Sequence, residues 1–241
     1  MCVLILHHRL IPGYPVVVAA NRDEARDRPS DPPFLWPQGI LAPRDRRAGG
    51  TWIGLSRHGL LAGITNRSRE PVDPSRPSRG ELVIEALTAQ AARAAVQRVE
   101  RAAFAAPRNP FNLLVADANE AFLVVGGNGV VTRPLSPGTH VLTNQHELGE
   151  LDLGDLTPPG DLETALDRLR TICQDHGTHG YPVCKHGERY GTVSSTLIAA
   201  GDGPGHPDHF AFAAGLPCQQ EHLELEDQVR SLRGHLRAPH G

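Results

Sequence analysis

The sequence predicts an α+β fold in which antiparallel sheets are flanked by helices on the outside. Short apolar segments of strand length come in pairs joined by tight turns, as in antiparallel hairpins. The helical segments come as two neighbours and then one, whereas a doubly wound parallel sheet alternates strands and helices. A chain of 241 residues is long enough to bury a substantial core in one domain.

The first quarter of the chain contains two predicted hairpins. Apolar runs predict strands over Val3–His7 and Tyr14–Ala20, and then over Thr51–Leu55 and Leu60–Thr65. Residues 25–50 lie between the hairpins and are rich in Arg, Asp and Pro, which predicts an irregular loop.

Three helices and six further strands complete the pattern. Ser78 is placed to cap a helix that begins near Gly80, and alanine-rich residues 89–105 continue as a second helix. Apolar residues recur at helical spacing over Asp161–His176, which predicts the third helix. The other strands are predicted over Phe111–Ala116, Ala121–Val125, Val130–Arg133, His140–Asn144, Thr192–Ala200 and His209–Ala214. We expect one domain over residues 1–218 and a polar helix or tail over residues 219–241.

Composition argues against several classes of protein. The net charge of −3 gives no basic excess for binding nucleic acid, and no apolar stretch approaches the roughly 20 residues of a transmembrane helix. The N-terminal residues lack the basic region of a secretory signal, and four cysteines are too few for a disulfide scaffold. These features predict a cytoplasmic protein.

Cys2 is the first candidate for chemistry. Removal of Met1 would leave Cys2 with a thiol and a free α-amine, and an amine with a pKa near 7.7–8.0 can accept the thiol proton. The plain structural alternative is a small apolar residue that opens a buried strand.

Polar residues at strand ends form the rest of the candidate site. Asn21, Arg22 and Asp23 end the strand that pairs with the first strand, so they could lie beside Cys2. Asn66 and Asn144 also end predicted strands, where an amide could stabilise an oxyanion. A solvated charged turn and simple turn-forming asparagines are the alternatives.

Taken together, these motifs resemble the NRDE family, which is the transport and Golgi organisation protein 2 family. The resemblance covers residues 1 to about 200, in order. The motifs are Met1-Cys2, Asn-Arg-Asp-Glu at 21–24, Gly-Gly-Thr-Trp-Ile-Gly at 49–54, Gly-Leu-Leu-Ala-Gly-Ile-Thr-Asn at 59–66, Ser-Arg-Gly at 78–80, Phe-Asn-Leu-Leu at 111–114, Leu-Thr-Asn at 142–144 and Arg-Tyr-Gly-Thr-Val-Ser-Ser-Thr at 189–196.

The resemblance implies a four-layer αββα sandwich like that of N-terminal nucleophile hydrolases. It implies that Cys2 attacks a non-peptide C–N amide, that Asp23 holds the α-amine, and that Asn144 is the oxyanion donor. Arg22 joins these three as a catalytic residue. On the substrate side we expect Asn21, Trp52, Asn66, Arg189 and Ser195.

One departure from related cysteine amidases concerns the residue three positions before Asp23. Those enzymes carry Arg there, whereas this chain has Ala20, with Arg22 immediately before Asp23. Since a one-residue offset reverses the face of a strand, the sequence predicts that Arg22 points away from the missing arginine's position.

Two functions therefore stay open. One is a hydrolase of a small or acyl-bearing amide that requires no cofactor. The other is a non-catalytic carrier on the same scaffold, because the family is also implicated in haem trafficking and in lipid or acyl-CoA homeostasis. The ligand is then haem or a lipid-like molecule. The sequence does not predict the oligomeric state.

A second cluster of Cys and His lies outside the family motifs. Cys173, His176, His179, Cys184 and His186 fall within 14 residues and are types that bind zinc or haem iron. Their spacing matches no standard zinc finger, so the sequence favours exposed histidines in a loop and no metal site.

Overall fold

The structure is a computed structural model that describes residues 2–67, 72–158 and 160–234. Within these ranges it contains 13 strands and four helices. The strands are β1 (Val3–Ile11), β2 (Tyr14–Ala25), β3 (Ser30–Trp36), β4 (Ile40–Asp45), β5 (Ile53–Ser56), β6 (Leu61–Asn66), β7 (Phe111–Ala116), β8 (Ala121–Gly126), β9 (Val130–Leu135), β10 (Gly138–Thr143), β11 (Tyr190–Ala200), β12 (His209–Ala214) and β13 (Leu223–Glu224). The helices are α1 (Gly80–Leu87), α2 (Ala92–Ala105), α3 (Leu162–Gln174) and α4 (Glu226–Gly234).

The strands form two antiparallel sheets, which confirms the α+β class. One sheet has the order β10-β1-β2-β11-β12-β13 and the other has the order β3-β4-β5-β6-β7-β8-β9. The predicted hairpins β1–β2 and β5–β6 lie in different sheets. Each hairpin therefore contributes two adjacent strands to a different sheet.

Three apolar clusters fill the spaces between four layers. The central cluster lies between the sheets and includes Leu4, Leu6 and Leu114. A second cluster packs α1 and α2 on the larger sheet, and a third packs α3 on the smaller sheet. The order helix, sheet, sheet, helix is the αββα sandwich that the resemblance implies.

Alternation along β1 and β2 determines which side chains face the space between the sheets. Leu4 and Leu6 of β1 belong to the central cluster, as do Val16, Val18 and Ala20 of β2, whereas their sequence neighbours pack toward α3. Continuing this alternation puts Cys2 and Arg22 at the inner face, and Asn21 and Asp23 at the outer face.

The prediction of an irregular loop over residues 25–50 is wrong. This segment contains strands β3 and β4, and β2 itself continues to Ala25. The residues Asn21, Arg22 and Asp23 are buried within β2, so the alternative of a solvated charged turn is also wrong.

The C-terminal residues 219–234 contain β13 and α4. Val229 and Leu232 of α4 are buried in the central cluster. Residues 235–241 of the expected tail lie outside the described residues. Among the helices that the structure describes, none is long and apolar enough to cross a membrane.

Candidate active site

A cavity of about 480 Å³ opens at the ends of β1, β2 and β6. The loop between β4 and β5 and the start of α1 complete its wall. Five of the residues expected to form the site line this cavity, namely Cys2, Arg22, Asp23, Trp52 and Asn66.

Strand register places Cys2 between two other candidates. Val3 pairs with Asn21 of β2 on one side and with Thr143 of β10 on the other. One step further along the strands, Cys2 therefore faces Arg22 on one side and Asn144 on the other. Directly opposite residues of antiparallel strands carry their side chains on the same face. Of the three, Cys2 and Arg22 line the cavity, whereas Asn144 is not among its lining residues.

Cys2 is a free cysteine and is partly exposed. Its Sγ lies 3.9 Å from the Asp23 carbonyl oxygen, to which the thiol donates. Burial raises the pKa of Cys2 above its ordinary value, and the Asp23 charge adds to that effect, while the Arg22 guanidinium lowers the pKa. Formation of the thiolate therefore needs a base or a bound ligand.

Arg22 is buried and firmly positioned at the inner wall. Its Nη2 donates to Asp45 Oδ2 at 3.3 Å, and its guanidinium carbon lies 4.2 Å from the centre of the Trp52 ring. Burial lowers the pKa of the guanidinium, whereas the charges of Glu24 and Asp45 raise it. Among the described residues, the buried Nη1 has no hydrogen-bond partner.

The expectation that Arg22 turns away is wrong. Residues 20 and 22 are two apart on β2, so they share the inner face, and Arg22 lines the cavity with Cys2. Ala20 packs in the central cluster.

Asp23 is held in a buried polar network on the outer side of β2. Its Oδ2 accepts from Lys185 Nζ at 2.7 Å and its Oδ1 accepts from Thr192 Oγ1 at 2.7 Å. The Asp23 carbonyl oxygen accepts from the Tyr190 hydroxyl at 2.6 Å. Met1 and the α-amine lie outside the described residues, so the expected contact of Asp23 with that amine stays a prediction.

A second arginine reaches the cavity from the start of α1. Arg79 is partly buried, and its Nη1 donates to the Pro110 carbonyl at 3.0 Å. Burial lowers the pKa of Arg79, and the charge of Arg28 lowers it further. Arg22 and Arg79 both interact electrostatically with Cys2, so two guanidinium groups act on the thiol.

Two glycines allow the start of α1 to approach the cavity loop. A Cβ on Gly50 would lie 2.6 Å from the Gly80 carbonyl carbon, and a Cβ on Gly80 would lie 2.8 Å from the Thr51 carbonyl oxygen. This backbone contact explains why the motifs at 49–54 and 78–80 contain glycine. The prediction that Ser78 caps this helix is wrong, because the N-cap residue is Arg79 and no side chain caps the helix; Ser78 Oγ instead accepts from the Gly80 N–H at 3.2 Å.

The other expected site residues occupy different places. Asn144 is buried but is not among the residues that line the cavity, and among the described residues its Oδ1 has no hydrogen-bond partner. Asn21 donates from Nδ2 to the carbonyls of Cys173 and Val183, on the α3 side. Ser195 pairs with Asn21 across the strands, and its Oγ lies 3.0 Å from His222 Nε2. Arg189 lies at the surface just before β11. The structure therefore does not bring Asn21, Ser195 and Arg189 to the cavity.

Several residues of the site were missed by the sequence reasoning. Asp45 anchors Arg22, but it lies in the segment that was expected to be an irregular loop. Arg79 lies within the Ser-Arg-Gly motif, which was the available signal. Lys185 is the only lysine of the chain, and nothing local links it to Asp23, 162 positions earlier.

Outside the cavity, the Cys/His cluster is partly brought together. His176, Cys184 and His186 lie close to Cys218, a residue the sequence did not connect with them. Cys173 instead packs in the cluster beneath α3, and His179 is exposed near Gly154.

Comparison with known proteins places the chain in a family. The family model for Transport and Golgi organisation 2 matches residues 1–152, which include Cys2, Arg22, Asp23 and Asn144. The chain belongs to the Transport and Golgi organisation 2 family. The NRDE resemblance is thereby confirmed.

Curated relatives agree with this family assignment over the same part of the chain. The Transport and Golgi organization protein 2 homologue of Homo sapiens is 35% identical over 143 residues, and that of Mus musculus is 34% identical. Each match covers 55% of this chain and 51% of the relative, so the chain matches about half the length of these relatives.

Solved structures show the fold of this family member. A mutant conjugated bile acid hydrolase from Clostridium perfringens aligns with a TM-score of 0.55, 11% identity, and coverage of 97% of this chain and 94% of that chain. The N-acylethanolamine-hydrolyzing acid amidase orthologue of Caenorhabditis elegans aligns with a TM-score of 0.53, 12% identity, and coverage of 96% and 97%. The sandwich is therefore the one found in N-terminal nucleophile hydrolases.

Proposed function

We propose that this protein is a cysteine amidohydrolase that cleaves a linear amide bearing an anionic group. The observation that carries the proposal is the meeting of Cys2 with two guanidinium groups, those of Arg22 and Arg79, in one cavity. Two structural neighbours are named as hydrolases of conjugated bile acids and of N-acylethanolamines, which supports an amide as the substrate class.

In the proposed reaction Cys2 supplies both nucleophile and base. After removal of Met1, the α-amine takes the thiol proton, and Sγ attacks the amide carbonyl carbon. As the C–N bond of the tetrahedral intermediate breaks, the leaving amine takes up the proton that the Cys2 α-amine holds. The acyl group stays on Sγ as a thioester. Water then attacks the thioester, which releases a carboxylic acid and restores the thiol.

The neighbouring polar groups have distinct roles in this proposal. Arg22 stabilises the thiolate, since its positive charge lowers the pKa of Cys2. Asn144 is the proposed oxyanion donor, and the pairing of its neighbour Thr143 with Val3, the neighbour of Cys2, supports this role. Asp23, fixed by Lys185 and Thr192, orients the α-amine.

The anionic part of the substrate is inferred from the arginines. A guanidinium with an unused buried N–H is well suited to a carboxylate or sulfonate, because charge-assisted hydrogen bonds are the stronger ones. Arg79 lies at the start of α1, where backbone N–H groups also favour an anion.

The test is amide hydrolysis with two matched sets of probes. N-acylglycines of graded chain length carry a carboxylate, whereas N-acylethanolamines of the same lengths do not. We expect turnover of N-acylglycines by the wild type and none by Cys2→Ala. We expect Arg79→Gln to raise KM for N-acylglycines about tenfold and to leave KM for N-acylethanolamines unchanged. Equal turnover by wild type and Cys2→Ala would refute the proposal.

The second candidate function is a carrier of haem or of a lipid-like ligand such as an acyl-CoA. The raised pKa of the Cys2 thiol, which burial causes, favours it, since a carrier has no need of a thiolate. In this function the arginines of the cavity pair with the acidic groups of the ligand. Haem titration of wild type and Cys2→Ala separates the two functions, because a carrier gives the same Soret band with both proteins.

A further inference from the structure

We propose a second, structural site in which His176, Cys184, His186 and Cys218 bind one zinc ion. The four residues each offer a ligand atom, and these atoms all lie within 4.8 Å of one another. Two Cys and two His are among the commonest ligand sets of structural zinc. This site is separate from the cavity and does not depend on the proposed hydrolase function.

The distances between the ligand atoms fit a tetrahedral ion. Zinc bonds of about 2.3 Å to sulfur and 2.0–2.1 Å to nitrogen imply about 3.8 Å between two sulfur ligands and about 3.5 Å between sulfur and nitrogen. Cys184 Sγ and Cys218 Sγ are 3.6 Å apart. His186 Nε2 lies 3.7 Å from Cys184 Sγ and 3.2 Å from Cys218 Sγ. Three of the ligand atoms therefore already stand near the separations that zinc requires.

The fourth ligand comes from the histidine that follows α3. The rings of His176 and His186 lie edge to face, with centroids 4.7 Å apart and planes at 82°. The position of His176 allows a ring nitrogen to reach the same centre as the other three ligand atoms. With four protein ligands the ion has no open coordination position, which is the mark of a structural rather than a catalytic site.

A disulfide between Cys184 and Cys218 accounts for the cluster less well. Both cysteines are free, and their sulfur atoms are far from the 2.05 Å of a disulfide bond. A disulfide would also leave the convergence of His176 and His186 on the same two sulfur atoms unexplained.

The loop that carries three of the ligands is held in place by hydrogen bonds to backbone carbonyl groups. The Asp175 carbonyl accepts from the N–H groups of Val183 and Cys184 at 3.1 and 2.8 Å. Gln174 Nε2 donates to the Pro217 carbonyl at 3.1 Å, which joins the end of α3 to the segment carrying Cys218. The ligands are thus brought together from two segments that are more than 30 residues apart in sequence.

The zinc ion would fix a part of the chain that serves the cavity. Lys185 lies between the ligands Cys184 and His186, and its Nζ forms the ion pair with the buried Asp23. Zinc at this position would therefore hold Lys185 in its ion pair with Asp23, the residue that follows Arg22 in β2.

The test is metal analysis of protein purified without a chelator or a histidine tag, under reducing conditions. We expect about one zinc per chain in the wild type and in the control His179→Ala, whose exposed side chain lies outside the cluster. We expect at least a tenfold lower zinc content in Cys184→Ser/Cys218→Ser. Removal of zinc from the wild type should lower Tm by about 5–10 °C.

Cobalt(II) titration of the zinc-free wild type keeps the proposal testable if the double variant does not fold. We expect a thiolate-to-cobalt charge-transfer band that saturates at about one ion per chain. The proposal is overturned if the reduced, folded wild type holds no zinc and gives no such band. It is also overturned if the folded double variant holds as much zinc as the wild type, or if Cys184 and Cys218 are found as a disulfide in protein that binds no metal.

Discussion

At the scale of single residues, burial and charge act on the Cys2 thiol in opposite directions. Burial and Asp23 raise its pKa, and the Arg22 guanidinium lowers it. Since only the thiolate is nucleophilic, the arginine sets how much of the thiol is reactive at a given pH.

Substitution of Arg22 should therefore make Cys2 less reactive. In Arg22→Gln we expect the pKa of Cys2 to rise further, which shifts thiol alkylation to higher pH and slows it about three- to tenfold at neutral pH. The measurement is the pH dependence of iodoacetamide labelling, with Cys2 followed by peptide mass. Arg44→Gln, an exposed arginine of β4, is the control. Identical profiles for Arg22→Gln and wild type would contradict this account.

The ion pair between Lys185 and Asp23 gives a prediction about stability. The Asp23 side chain is fully buried and that of Lys185 is partly buried, so removal of the lysine takes an ion-pair partner from a buried carboxylate. We expect Lys185→Met to lower the free energy of unfolding by about 3 kcal/mol, as measured in urea. The double variant Lys185→Met/Asp23→Asn should recover at least half of this loss, because it also removes the buried negative charge. No recovery would show that the lysine acts by packing alone.

Local sequence predicts the position of some residues of the site but not of others. Cys2 and Arg22 were found because a hairpin joins them and a motif marks both. Lys185 reaches Asp23 only through tertiary folding, and so does Cys218 in joining the Cys/His cluster. No spacing rule links residues so far apart.

At the scale of elements, the start of α1 is held against the cavity loop by a close approach of backbones. Gly50 and Gly80 leave no room for a Cβ between them. The contact positions Arg79, the residue that precedes α1, at the mouth of the cavity.

An alanine at the first of these glycines should displace the helix. A Cβ on Gly50 would lie 2.6 Å from backbone atoms that cannot rotate away, so we expect Gly50→Ala to cost about 1–3 kcal/mol of stability. Gly129→Ala is the matched control, because its Cβ would meet nothing within 4 Å, and we expect a change below about 0.5 kcal/mol. Chemical denaturation of the two variants checks this. Equal stability would argue against the close approach.

The strands over residues 25–50 could not be read from local sequence for a physical reason. Strand β3 contains Pro32 and Pro33, and its register with β4 shifts between Asp31 and Phe34. Proline removes a backbone donor and is tolerated at a sheet edge, which is where β3 lies. A proline-rich composition normally predicts a loop, but in this segment it belongs to an edge strand.

At the scale of the whole molecule, two histidines couple stability to pH, namely the buried His7 and the partly buried His222. Burial lowers the pKa of His7 and of His222 to about 4 each, against 6.5 in an unfolded chain. Between these values the unfolded chain binds more protons than the folded protein, so stability falls as the pH falls from about 6.5 toward 4 and is unaffected above pH 7.

Replacement of these histidines should flatten the acid dependence. We expect His7→Gln and His222→Gln each to reduce the loss of unfolding free energy between pH 7 and pH 5 by about 1–2 kcal/mol. Urea unfolding at the two pH values measures it, with His179→Gln as the exposed control. An unchanged pH dependence in both variants would show that these histidines titrate normally in the folded protein.

The order of the layers could be predicted from the sequence, whereas the order of the strands within each sheet could not. Hairpins followed by grouped helices predict antiparallel layers, and the family motifs carry the αββα arrangement. The pairing of β1 with β10 joins residues about 140 positions apart, and β2 pairs with β11 over a still longer span. The cavity likewise brings the ends of β1 and β2 together with β6, the loop between β4 and β5, and the start of α1, so its lining had to come from the structure.

The central claim is that Cys2 is a nucleophile, and intact mass after exposure to an N-acylglycine tests it most directly. Our account predicts a protein that lacks Met1 and a transient species heavier by one acyl group, with the added mass mapping to Cys2 and absent from Cys2→Ala. A protein that keeps Met1 and shows no acyl adduct while it still releases glycine would contradict the account.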